Sequence, residues 1–279
     1  MSASTLPADG RRPQLRLQLD TFAAMLARDV RVLRRQLGQF LLRTIMQPLL
    51  FVFVFAYVFP KIGQGFGGGR AGSFTTVLVP GLIAVAINFQ GIQSVAIPLV
   101  QEFSISREIE DRVLSPVPVW TIALEKIVAG ALQSIIAALV VFPIVFLVHA
   151  HGAAPSIHVH DWPLFVFALV FASLLASSGG LFIGTVIEPR KITLLFSVIV
   201  LPITFLGCVY YPWGTLSPIP WLKYFVLLNP LVYMTEALRA SLTPQLPHMP
   251  AWGFSLALVG GSAGLGLLAL RTFHRRVVS

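Results

Sequence analysis

Charge is what this chain lacks most. Only 11% of its 279 residues are charged, while 56% are hydrophobic and the mean hydropathy is +0.82; soluble domains carry roughly 25% charged residues. That deficit excludes an ordinary soluble globular domain. Several apolar runs reach the ~18–20 residues a helix needs to cross hydrocarbon, so helical spans are expected rather than a barrel. Cysteine is nearly absent: Cys208 has no second thiol to pair with, which excludes internal disulfides and cysteine-rich metal sites. No Gly-Lys pair occurs anywhere, so a Walker A loop cannot be built, and the glycine-rich run 63–72 reads as an outer connection instead. The apolar runs also lack the paired carboxylates or Asp/Glu/His relays of proton-coupled carriers, Glu125 being the nearest candidate. A cleavable signal peptide is not expected, because the first long apolar run begins only near Gly38.

What is present is a series of apolar runs of spanning length. They predict an all-α integral membrane protein with six transmembrane helices, at about 38–59, 75–100, 120–148, 162–186, 192–210 and 252–270. Residues 1–14 read as a mobile tail. From Leu15 the apolar positions Leu19, Phe22, Leu26, Val30, Leu33 and Leu37 step by three or four with arginines between them, which predicts an amphipathic interfacial helix over 15–37. The six-span body then occupies 38–279. Between the fifth and sixth runs, about 218–243, lies a segment too short to cross. Its apolar stretch ends at Asn229-Pro230 and a second helical pattern follows, in which Glu236 and Arg239 stand three apart on one face; re-entrant helices are expected here.

Polar and aromatic side chains inside the runs give the candidate pathway. Phe55 and Tyr57 belong to the aromatic-rich first run, and Asn88, Gln90 and Gln93 to the second. Amides at membrane depth either face a wet cavity or hydrogen-bond across helices, and the sequence leaves both readings open. The fourth run is rich in small residues, from Ala172 to Gly184, that let backbones approach closely. His149, His151, His158, His160 and Asp161 sit in an outer connection without a ligand scaffold, so solvated histidines are expected and a metal site is not. With both termini on the cytoplasmic side, sixteen basic residues fall inside and Lys61, Arg70, Lys223 and Arg239 outside, as the positive-inside rule requires. The net charge of +9 is therefore topological, and no nucleic-acid partner is implied.

The stretch Gln101–Pro118, QEFSISREIEDRVLSPVP, sets Glu102, Arg107, Glu108, Glu110, Asp111 and Arg112 between two apolar runs. Ser104 to Leu114 suits a short helix stopped by Pro116, lying on the cytoplasmic side where it meets a soluble partner or simply solvates a turn. Here the sequence resembles the membrane subunits of exporter-type (type-2) ABC transporters, the family of drug-resistance, nodulation-factor and polysaccharide exporters. The residues that carry the resemblance are Glu102, Arg107, Glu108, Glu110, Leu114, Pro116, Val117 and Lys126, together with Leu228-Asn229-Pro230-Leu231 and Tyr233-x-x-Glu236-Ala237-Leu238-Arg239. The family's usual Gly-Thr-Leu-Glu is replaced by Asp111-Arg112-Val113-Leu114. The resemblance implies a multi-pass permease of a bacterial cytoplasmic membrane that forms a homodimer or heterodimer. Gln101–Pro118 would then couple to a separate ABC ATPase that binds ATP and Mg, leaving this chain without a cofactor or catalysis of its own. A lipophilic or amphiphilic drug or lipid is the expected cargo, with a polysaccharide or lipid-linked glycan as the alternative. An integral-membrane lipid-modifying enzyme is the reading from another class.

Overall fold

A computed structural model describes residues 11–58, 61–62, 71–103, 118–148, 157–187, 191 and 201–278, with backbone alone at 11–18, 43, 47, 55–56, 71–75, 201 and 278. The described residues are helical and contain no strand. The helices are α1 (Arg11–Arg35), α2 (Leu37–Val52), α3 (Ala71–Gln101), α4 (Val119–Leu147), α5 (Trp162–Val186), α6 (Leu201–Phe205), α7 (Pro220–Phe225), α8 (Pro230–Leu242) and α9 (Ala251–Val278). Four of them, α3, α4, α5 and α9, are long and apolar enough to cross a membrane. Helix α2 carries Pro48 internally and widens into a π-helical turn at Phe53–Val58, so the first apolar run is helical over nearly its whole length. Residues 1–10 of the expected tail, 192–200 of the fifth run, the coupling segment 104–117, and His149 and His151 lie outside the described residues.

Two helix ends differ from those expected. The chain is helical from Arg11, not from 15, because Arg11 and Arg12 are good helix formers and Pro13 is tolerated in a first turn. The last helix runs two turns past residue 270 to Val278, since the basic sequence RTFHRR is as helix-competent as the apolar sequence before it and suits a helix C-terminus. Helix α1 is also more than a surface helix: it packs against α4, and Met25 reaches a small core at the ends of α3, α4, α5 and α9 that includes Leu99, Ile122 and Phe273.

Helix α5 is the hub, touching α3, α4, α8 and α9. Apolar burial drives little association in lipid, so close packing has to do it. Ala172, Ala176, Gly180 and Gly184 recur every four residues along one face of α5. Opposite them stand Gly91, Ile92 and Ala96 of α3. A Cβ on Gly180 would lie 2.8 Å from the Ile92 carbonyl oxygen, and one on Gly91 would lie 2.5 Å from the Ala176 Cβ. Two hydroxyls on α5 bond back to their own turns, Ser177 to the Ser173 carbonyl at 2.8 Å and Thr185 to the Leu181 carbonyl at 2.6 Å, so they need no partner across the interface. Helix starts are sharply set: the Asp161 carboxylate accepts from Leu164 N at 2.9 Å, and the Asn229 side chain accepts from Leu231 N at 3.0 Å, each just ahead of a proline.

Candidate functional site

A cleft of about 490 Å³ opens between the α1–α2 junction and the faces of α3 and α4. Its α3 wall presents Gln90, Gln93, Ser94, Ile97 and Gln101, and its α4 wall Lys126, Ala129, Gly130 and Gln133, both at the three- and four-residue spacing that defines one helical face. Gln36 and Gln39 close the third side, where the chain turns between α1 and α2. Gly130 lets the two walls meet, since a Cβ there would stand 2.4 Å from Val95 Cγ2. Six glutamine side chains thus surround one space. Amides donate and accept without carrying charge, so the lining suits hydroxyls and amides better than ions.

The charges at the cleft cancel locally. Lys126 Nζ lies 2.6 Å from Glu102 Oε1, with only 8% and 13% of the two side chains exposed. The second oxygen of Glu102 is buried without a hydrogen-bond partner among the described residues. Arg28 and Asp29 of α1 add one charge of each sign. The ion pair therefore bridges the polar stretch, because Glu102 stands at its start, directly after α3, and Lys126 lies on α4 beyond its end. Of the coupling residues, Glu102 is the one described; Arg107, Glu108, Glu110, Asp111 and Arg112 lie outside the described residues.

At its far end the cleft narrows. Thr44 Oγ1 donates to Gln90 Oε1 at 3.2 Å, and beyond this neck an apolar crevice of about 30 Å³ runs between Pro48 and Phe51 of α2 and Leu82, Val85 and Phe89 of α3. Phe51 in turn stands 6.3 Å, ring to ring, from Tyr210.

The structure brings some of the expected pathway residues together and separates others. Gln90 and Gln93 line the cleft. Asn88 is 3% exposed on the opposite side of α3, with its amide nitrogen unpartnered among the described residues. Tyr57 is engaged at the end of the π-helical turn: it accepts from Lys61 Nζ at 2.8 Å, lies under that ammonium and stacks on Phe53. The side chain of Phe55 lies outside the described residues. Gln133, Gln39, Gln36 and Thr44 were missed by sequence reasoning. Gln133 was findable, being an amide in a span seven residues from Lys126; the others depend on how α1 and α2 fold back onto α4.

The segment before the last span forms a second polar centre. Helix α8 is buried along nearly its whole length, and Glu236 and Arg239 are both fully buried and paired, Arg239 Nη1 donating to Glu236 Oε1. Glu236 also accepts from Trp213 N at 3.1 Å and, through its other oxygen, from Met249 N at 2.7 Å. Arg239 Nη2 donates to the Cys208 carbonyl at 3.0 Å, and Cys208 holds a left-handed φ of 53° that a non-glycine residue rarely adopts. Asn229 Nδ2 donates to the Ile203 carbonyl at 2.6 Å. One ion pair and one amide thus fasten the end of the fifth apolar run, the turn at Trp213 and the approach to α9 onto α8. The three-residue spacing shows the Glu236–Arg239 pair, but neither its backbone partners nor its burial.

His160 has both ring nitrogens engaged: Nδ1 lies 2.8 Å from the His158 carbonyl and Nε2 lies 3.3 Å from the Gln245 amide of the connection after α8. Among the described residues no cluster of His, Cys, Asp and Glu is arranged to hold a metal ion.

Comparison with known proteins agrees with this architecture. Residues 20–243 match the family model described as ABC-2 type transporter. The chain is 28% identical over 200 residues to the inner membrane transport permease YadH of Escherichia coli K12, an alignment covering 71% of this chain and 74% of the relative; the permease of the same name in Shigella flexneri matches equally. With helices of spanning length and a family match across most of its length, the chain belongs to the ABC-2 type transporter membrane family, the permeases of ABC exporters.

Proposed function

We propose that this chain is the cargo-handling half of an ATP-driven exporter in a bacterial cytoplasmic membrane. It would pair with a second permease subunit, with both termini cytoplasmic and six spans, and with ATP and Mg held by a separate ATPase. Gln101–Pro118 is the docking segment, and the Glu102–Lys126 ion pair carries its movement to the cleft. The cargo is an amphiphile. Its polar, uncharged head enters the amide-lined cleft, and its apolar part follows the α2–α3 crevice past the Thr44–Gln90 neck towards Phe51 and Tyr210. The observation that carries this reading is the cleft itself, with six amides and internally cancelled charge beside the segment expected to meet the ATPase. The same lining favours a second reading, a lipid-linked glycan, because hydroxyl-rich heads match amide donors and acceptors. A lipid-modifying enzyme has less support, since both ring nitrogens of His160 are already engaged.

The test is ATPase activity of the reconstituted complex across a panel of neutral, anionic and cationic amphiphiles. Neutral polar heads should stimulate most, and Q90A/Q93A should abolish that selectivity. Charge reversal of Glu108 and Glu110 to Lys should end stimulation while membrane insertion is retained. Stimulation by strongly charged amphiphiles alone would refute the assignment of the cleft.

A further inference from the structure

We infer that the last turns of α9 form a binding site for the head group of an anionic phospholipid. The end of α9 divides its side chains between two tasks. On the inner side Phe273 is fully buried against Phe103, and Arg276 donates to the Thr185 carbonyl and lies 4.6 Å from the centre of the Phe103 ring. On the outer side Arg271, His274 and Arg275 are exposed, and no ion-pair or hydrogen-bond partner accounts for them among the described residues. Together with Leu267 and Leu270 they border an open, shallow surface of about 320 Å³ formed by α9 alone. Positions 267, 270, 271, 274 and 275 share one helical face, so an apolar upper half lies directly over a basic lower half.

That order matches a phospholipid standing at the membrane boundary. Leu267, 58% exposed, faces acyl chains, and Arg271 and Arg275, one turn apart, are close enough to share a single phosphate. Simple snorkelling of arginines to water would need neither an exposed leucine directly above them nor their pairing on one face. An acidic protein surface would be served by the basic half but would leave Leu267 facing nothing. Charge complementarity and the apolar floor together select the lipid.

The experiment uses the full chain, delipidated in neutral detergent, with lipid retention read by native mass spectrometry. Phosphatidylglycerol should be retained roughly tenfold or more over phosphatidylcholine of identical chains, the scale expected for two arginines near an anionic head. R271Q/R275Q should remove that preference, and R34Q, on α1, should leave it intact. If the double glutamine variant is not monodisperse, R271K/R275K replaces it and should give intermediate retention, since charge remains while bidentate geometry is lost. Inorganic phosphate should not compete. Equal retention of the two lipids, the same loss in R34Q, full competition by phosphate, or one-for-one displacement of the lipid by the ATPase subunit would each overturn the assignment.

Discussion

Replacing Glu236 by glutamine removes one charge from a site where the geometry leaves no room for a substitute. Both members of the Glu236–Arg239 pair are fully buried, and the carboxylate accepts from three donors on its two oxygens. The introduced amide would keep one acceptor oxygen and turn its NH₂ towards another donor, either Trp213 N–H or Met249 N–H. Breaking a buried pair costs about 3–5 kcal/mol, and an orphaned buried N–H adds about 1–3 kcal/mol. For a chain of this size each kcal/mol moves the midpoint by about 2–4 °C, so E236Q should melt roughly 10–30 °C below the parent. The assay is the thermal midpoint of the detergent-solubilised protein by fluorescence-detected size exclusion. Single and double substitutions at Glu236 and Arg239 then close a cycle. R239M removes the donor to Cys208 as well, so the double variant E236Q/R239M should be less destabilised than the sum of the singles, by about 1–3 kcal/mol. An E236Q midpoint within about 2 °C of the parent, or strictly additive singles, would refute the view that this pair fastens the segment.

Three further outcomes are expected. E102Q leaves Lys126 nearly buried without its carboxylate, so cargo-stimulated ATPase activity of the complex should fall about tenfold or more for a stability loss of only about 1–3 kcal/mol, the pair being partly exposed; the exchange E102K/K126E should restore much of it, and undiminished coupling in E102Q would count against the ion pair as a transmitter. G180A should destabilise by about 1–3 kcal/mol because its Cβ meets the Ile92 carbonyl oxygen, whereas G260A, where an added Cβ meets nothing within 4 Å, should be neutral or slightly stabilising; equal melting of the two variants would remove the α3–α5 seam as an explanation. In intact cells a cysteine at Gly67 should react with an impermeant thiol reagent and one at Ser115 should not, and the reverse labelling would invert the topology.

The helices were legible because a membrane leaves the chain little choice. Apolar runs such as Val119–Leu147 and Trp162–Val186 carry their own hydrogen bonding, so length and hydropathy nearly suffice to bound them. The same locality explains the pairing of Glu236 with Arg239, three residues apart on one turn. What the sequence hid is tertiary. Glu102 and Lys126 are 24 residues apart and read as members of one motif, but nothing in their spacing says that they touch. Gln90, Gln93 and Asn88 read as a single polar set, yet at about 100° per residue Gln90 and Gln93 fall on one side of α3 and Asn88 on the other. The cleft likewise needs α1 and α2 folded against α4, a packing decision that amphipathic periodicity leaves undetermined.

The two polar centres differ in what they permit. At Glu236–Arg239 the carboxylate and guanidinium bind three separate backbone segments, so any movement of α8 must take the turn at Cys208 and the approach to α9 with it. At Glu102–Lys126 a single contact of 2.6 Å, with 8% and 13% of the side chains exposed, joins the end of α3 to the third turn of α4, and one carboxylate oxygen lacks a partner among the described residues. Breaking the first requires orphaning several buried groups at once, whereas breaking the second exposes two charges to a cleft that already contains water-sized space and six amides. A two-state element needs a contact that opens at modest cost beside one that does not open at all. On these energies the cleft end of α3 and α4 is the part free to change, and the α8 centre is the anchor against which that change can do work on a cargo.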